Sequence, residues 1–212
     1  MKSEMDEKKS LGSRVLRFCI ILLAGEAMNL GFHFLLVDAA HIALWFDTIG
    51  TVAVTFYAGL VPGVIVAALY NVLCVIILAV VSKSPIYPLD MIYALCGIAI
   101  AVTTWLFARK KENFCMSTLI TTLYLVLIAL VSAFASSVVG GIIETGNRLH
   151  FGNLAYSSVL EQFVRAFLGE NIGILTSCII VRIPVTVLDR LICTFAGFGI
   201  YKLFSGEKLY AE

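Results

Sequence analysis

Charge is scarce in this sequence. Asp, Glu, Lys and Arg make up 14% of its 212 residues, where a soluble domain carries about one quarter. That shortage excludes a surface wetted on all sides, because there are too few ionic groups to cover it. Neither sign prevails: 15 basic and 14 acidic residues leave a net charge of +1, which removes the electrostatic case for nucleic acid. The six cysteines (Cys19, Cys74, Cys96, Cys115, Cys178, Cys193) stand apart, with no CxxC pair and no cluster around His33, His41 or His150. Disulfide frameworks and structural zinc sites need such spacings, so the thiols read as small apolar residues. GxxxxGK[ST], HExxH and GxSxG are all missing, and with them the phosphate cradle, the zinc-protease helix and the nucleophile elbow. The expectation is a protein that is not an enzyme and needs no metal or cofactor.

What fills the chain is apolar: 60% of residues are hydrophobic and the mean hydropathy is +0.99. This composition predicts an all-α integral membrane protein with one transmembrane domain over residues 1–212 and no room for a soluble catalytic domain. A span needs about 20 apolar residues. Six are predicted, over 15–37, 46–60, 62–81, 89–108, 117–143 and 184–204, preceded by a cytoplasmic tail over 1–13. The basic N-terminus imitates a signal peptide, but the apolar run continues to Val37 with no clean small-x-small site, so it reads as a retained span. Arg182 and Pro184 set the start of the last span, since proline removes a backbone donor and clashes with the preceding turn. With six spans and an inner N-terminus, ten Lys and Arg residues fall inside and Lys83, Arg148, Arg165 and Arg182 outside. Both termini are therefore expected in the cytoplasm.

Residues 144–182 read as an outer loop. Within it, AYSSVLEQFVRAFL (155–168) repeats apolar residues at helical spacing, with Val159, Leu160, Phe163, Val164, Phe167 and Leu168 on one face and Ser158, Glu161, Gln162 and Arg165 on the other. That pattern predicts an amphipathic helix, lying either at the membrane interface or as a lid across the bundle mouth.

The stretch FDTIGTVAVTFYAGLVPGVIVAALYNVL (46–73) predicts a tight helical hairpin, with Gly59, Pro62 and Gly63 making the reversal. Asp47 reads as an N-cap or a ligand contact. Asn71, near mid-membrane, must bond another helix or a ligand. Other polar and aromatic residues collect at the outer span ends: Trp45, Phe46 and Thr48; Tyr87, Asp90 and Tyr93; Ser136, Ser137 and Glu144; Asn171, Arg182, Thr186 and Asp189. Converging, they would line one outward pocket in which aromatics stack on a planar ligand; the alternative is an aromatic belt with helix caps. Asp189 is an ionisable group inside an apolar segment, and Arg182 reads as its partner while Arg190 points away. On the first span, Ala24, Ala27 and Gly31 form a small-residue face, internal or open to a partner. Glu26 beside it needs a mate, either Arg14, Arg17 or a partner protein.

Four stretches carry a resemblance. FDTIGTVAVTFYAGLVPGVIVAALYNVL, LDMIYALCGIAIAVTTWLFARKK and RIPVTVLDRLICTFAGFGIYKLF, together with the small residues of the first span, resemble the substrate-binding S component of energy-coupling-factor vitamin transporters, and the riboflavin S component most of all. The similarity covers about two thirds of the chain. It implies an S component of an ABC-type importer in a bacterial cell membrane, binding a vitamin-like molecule and working with a transmembrane coupling protein and two ATPase subunits. The docking alanines of that family correspond here to Ala24 with Met28 or to Ala27 with Gly31. Asp189 stands where the riboflavin members carry lysine, and Thr186 near an asparagine of theirs. Membrane regions of some bacterial sensor kinases share the DTIG…GLVPG pattern, which leaves a ligand-binding sensor without transport as the alternative.

Overall fold

Inside a hydrocarbon layer an apolar chain can satisfy its backbone within one segment only as an α-helix, and this chain is helical. The computed structural model describes residues 2–40, 42, 44–82, 88–151 and 158–206. Among them are seven α-helices and no strand: α1 Lys2–His33, α2 Ile49–Ala58, α3 Leu60–Ser82, α4 Ala94–Ala108, α5 Thr118–Phe151, α6 Ser158–Gly169 and α7 Ile174–Ser205. Four stretches are long and apolar enough to cross a membrane: Gly12–Val37, Leu60–Val81, Asp90–Ala108 and Thr118–His150. Leu23, Val80 and Phe134 on these helices stay exposed, as side chains facing lipid do.

The second expected span is different in kind. Helix α2 has ten residues, about 15 Å, half of the roughly 30 Å that a crossing needs. Every residue from Ile49 to Phe56 is buried, and α1, α3, α4 and α7 all pack around it. It is thus an internal half-helix. Glycines permit that crowding: a Cβ on Gly50 would overlap the Gly25 carbonyl of α1. Gly59, at φ +91°, makes the reversal into α3 in a backbone region that other residues avoid. Pro62 lies in the first turn of α3, as expected.

Two further boundaries and the faces of one helix correct the sequence reading. Helix α5 does not stop at residue 143 but runs to Phe151, because the polar residues that suggested a loop pair with each other along it: Arg148 Nη2 reaches Glu144 Oε1 at 2.7 Å. Helix α7 does not begin at Pro184, which lies inside it. The proline faces outward, and Thr186 Oγ1 donates to the Arg182 carbonyl at 2.7 Å across the same turn. Helix α6 is present, with Val164, Phe167 and Leu168 turned to α7 and Gln162 and Arg165 exposed as the pattern has them, but two residues trade faces. Glu161 is buried and Phe163 is 56% exposed; Val164 packs with Cys178 and Val181 of α7.

The bundle has two unlike ends. At one, Phe56, Phe114, Phe198 and Tyr201 form an aromatic cluster, with Phe56 edge-on to Phe114 at 5.3 Å and stacked on Tyr201 at 5.6 Å. Such pairs add about 0.5–1.5 kcal/mol each beyond their buried area. Lys111 and Lys202 lie over the Tyr201 ring there. The other end is polar and hollow.

Candidate functional site

The hollow end is organised around residues 44–48, between α1 and α2, whose polar groups are held by buried side chains from two helices. Asp189 Oδ1 accepts from the backbone N–H groups of Trp45 and Phe46, both at 2.9 Å. His33 Nδ1 lies 3.0 Å from the Trp45 carbonyl; since that oxygen only accepts, Nδ1 carries the proton. Arg190 binds Asp47 Oδ1 at 2.7 Å, Thr48 Oγ1 and the Asp189 carboxylate. Asn29 of α1 does for the start of α2 what a cap residue usually does. Its Oδ1 accepts from Gly50 N–H at 2.7 Å and Thr51 N–H at 3.2 Å, and its Nδ2 donates to Thr51 Oγ1. Phe46 takes φ +50°, a costly conformation for a bulky residue. The two amides fixed by Asp189 keep it there.

This bracing presents Trp45 and Asp47 to a cavity of about 340 Å³. Asn71, Asp90, Tyr93, Ser136, Arg182 and Thr186 line it as expected, and Tyr70, Cys96 and Arg190 line it unforeseen. Arg182 sits over the Tyr93 ring at 5.3 Å and the Trp45 ring at 6.0 Å. Its Nε donates to Glu144 Oε2 at 2.7 Å and its Nη2 to Tyr93 Oη at 3.3 Å. Glu144 also takes Arg148, which takes Glu161 at 2.6 Å, which takes Arg165 at 2.6 Å. A chain of charge thus runs from the cavity wall to α6. Arg148 donates the principal hydrogen bond that holds the Glu161 carboxyl below the usual carboxylate range.

Several expected site residues do other work. Asp189 is 0% exposed and stands behind the wall; its partner is Arg190, while Arg182 belongs to Glu144. Phe46 is core, packed with Ile49 and Cys193. Asp47 forms an ion pair instead of an N-cap bond, and Thr48 occupies the cap position. Asn71 bonds the Ala67 carbonyl of its own helix at 3.1 Å rather than another helix. Asn171 is exposed at φ +59°; Ile172 N–H reaches Phe167 O and Asn171 N–H reaches Leu168 O, both at 3.1 Å, which is the Schellman ending of α6. Tyr87 lies outside the described residues. No residue of α6 lines the cavity among those described. The signal that could have found Arg190 was helical arithmetic: residues 182, 186 and 190 lie one above another at intervals of four.

Ala24, Ala27 and Gly31 are all exposed on α1, whereas Gly25 turns inward against Val54 and Val66. Glu26 is buried, and neither carboxylate oxygen has a hydrogen-bond partner among the described residues. Arg14 and Arg17 are exposed and do not supply the expected mate. A second hollow, of about 460 Å³, lies at the far end of α4, edged by Leu123, Leu127, Arg109 and Lys110. All four are exposed, so it is a surface groove and not an enclosed cavity. No group of three or more His, Cys, Asp or Glu side chains suited to a metal occurs among the described residues. Comparison with protein-family models, curated proteins and solved structures returns no match.

Proposed function

We propose that this protein binds a small, vitamin-like metabolite in the cavity and carries it across a bacterial cell membrane as the S component of an energy-coupling-factor importer. One observation carries the reading. An otherwise apolar bundle gathers Trp45, Tyr70, Tyr93, Asp47 and Arg182 around a single hollow, and ligand sites pair an apolar wall with a few fixed polar groups in this way. The topology that goes with it has six membrane segments, the second being residues 44–48 with the half-helix α2, and the cavity opens outward. Helix α1 rises towards the cavity and α7 runs away from it, which agrees with both termini on the cytoplasmic side. The outward small-residue face of α1 is the surface for a transmembrane coupling protein, which two ATPases drive.

The test is to purify the full chain from its membrane and identify by mass spectrometry the small molecule released on denaturation. A single metabolite in near-stoichiometric amount is the expected result. An empty protein from cells grown in rich medium counts against the proposal. Uptake in cells that also contain coupling subunits separates transport from sensing, since a sensor binds without accumulating ligand.

A further inference from the structure

We infer that the groove between the adjoining ends of α4 and α5 binds an anionic phospholipid of the surrounding bilayer. Arg109 and Lys110 hold its phosphate, and the leucines beside them take an acyl chain. The inference needs neither a ligand in the cavity nor transport.

The groove lies where two membrane-crossing stretches meet the edge of the hydrocarbon. One of them, Asp90–Ala108, stops immediately before Arg109, and the next begins at Thr118. Lipid phosphates occupy this level. On the hydrocarbon side, Leu106 from the last turn of α4 lines the groove with Leu123 and Leu127, one turn apart on α5. All three are exposed, so an acyl chain reaches them directly from the bilayer. The volume of about 460 Å³ is within the range of sites that hold a small ligand.

The rim carries positive charge with nothing opposite it. Among the described residues, neither Arg109 nor Lys110 pairs with a carboxylate. Glu112 is the one acid between residues 109 and 117; it is exposed and joins no ion pair. Lys111 turns away, over the Tyr201 ring. Arg109 packs over the Trp105 ring at 5.7 Å, which steadies one face of the guanidinium and leaves the N–H donors at its edge available. A guanidinium matches a phosphate with two parallel N–H bonds, and a neighbouring ammonium adds a point charge. A free phosphate would use only this rim. An occupant that is anionic at the rim and apolar along the leucines uses the whole groove, and a phospholipid is such a molecule.

The test follows quenching of Trp105 in the full chain in lipid nanodiscs. Trp105 is one of two tryptophans, so Trp45→Phe leaves it as the reporter. Acyl-brominated phosphatidylglycerol or phosphatidylcholine is titrated into an unbrominated phosphatidylcholine bilayer. Phosphatidylglycerol is expected to reach half-quenching at about one tenth of the mole fraction that phosphatidylcholine needs. Arg109→Gln with Lys110→Gln should make the two lipids equal, whereas Arg109→Lys with Lys110→Arg should keep most of the preference. Arg14→Gln with Arg17→Gln, on the exposed start of α1, should leave it unchanged. All of these charged residues are exposed, so the substitutions spare the core. Equal quenching by the two lipids in the parent overturns the inference and leaves the rim to an acidic segment of a partner protein. A preference that survives the double glutamine variant overturns it as well.

Discussion

Asp189 uses its two carboxylate oxygens to fix two backbone amides and one guanidinium, and the cavity's position depends on it. The residue is fully enclosed, so removing its side chain leaves the Trp45 and Phe46 N–H groups without acceptors and Arg190 short of a counter-charge. Removing one partner of a buried pair costs about 3–5 kcal/mol. Asp189→Ala is therefore expected to lower the apparent Tm in detergent by about 10 °C and to lose ligand binding with it. Asp189→Asn keeps one acceptor oxygen for the amides and is expected to lose less than half as much. If the alanine variant melts like the parent protein, the bracing role of Asp189 is wrong. Asp47 and Asp189 differ only in where the backbone sets them: one reaches the cavity, the other supports the wall. Sequence marked both as unusual, because a carboxylate within an apolar run is rare, but it could not tell wall from support. That distinction depends on which way one turn of α7 faces.

At the scale of the element, α6 shows how an ion pair overrides an amphipathic pattern. Periodicity put Glu161 on the wet face; Arg148, projecting from α5, draws it inward and leaves Phe163 outside. The pairing sets a pH window. Arg148 holds the folded-state pKa of Glu161 below its ordinary value of 4.5. The resulting stability is present above that value and is lost as pH falls through the depressed folded pKa. A fluorine label on Phe163 should report α6 docked on α7 from pH 7 down to the ordinary carboxylate range and released only below it. Glu161→Gln should loosen the helix already at neutral pH. Release near pH 6 would show that a histidine, not this carboxylate, controls the contact. Proline misled as well. Pro184 is accommodated within α7 with its ring on the exposed side, where it gives up only the bond to the Ile180 carbonyl.

For the molecule as a whole, the proposed division of labour places ligand at the hollow end and partners on the outer face of α1. Ala27→Leu together with Gly31→Leu adds bulk to an exposed strip that contributes nothing to the cavity wall. Ligand affinity is expected to stay within about twofold while uptake in cells falls to background, measured by titration and by accumulation of labelled substrate. A loss of affinity in parallel with uptake would mean that the strip supports the fold. The aromatic cluster packs the opposite end of the bundle. On the proposed transport reading, transfer of ligand to the inner side requires the bundle to move or the aromatic cluster to open.

Composition alone determined that this chain is helical and rich in segments suited to a membrane, because apolar backbone in lipid leaves so few alternatives. The positions of polar residues at the ends of apolar runs also singled out eight of the sixteen residues that line the cavity, since such residues have to meet each other. Tertiary structure alone decided that α2 is an internal half-helix, that Arg190 rather than Arg182 neutralises Asp189, and that α5 and α7 pass unbroken through their polar residues. The physical reason is the same in each case. A buried charge or orphan amide is stabilised by whichever partner reaches it through space, and sequence spacing does not specify that partner.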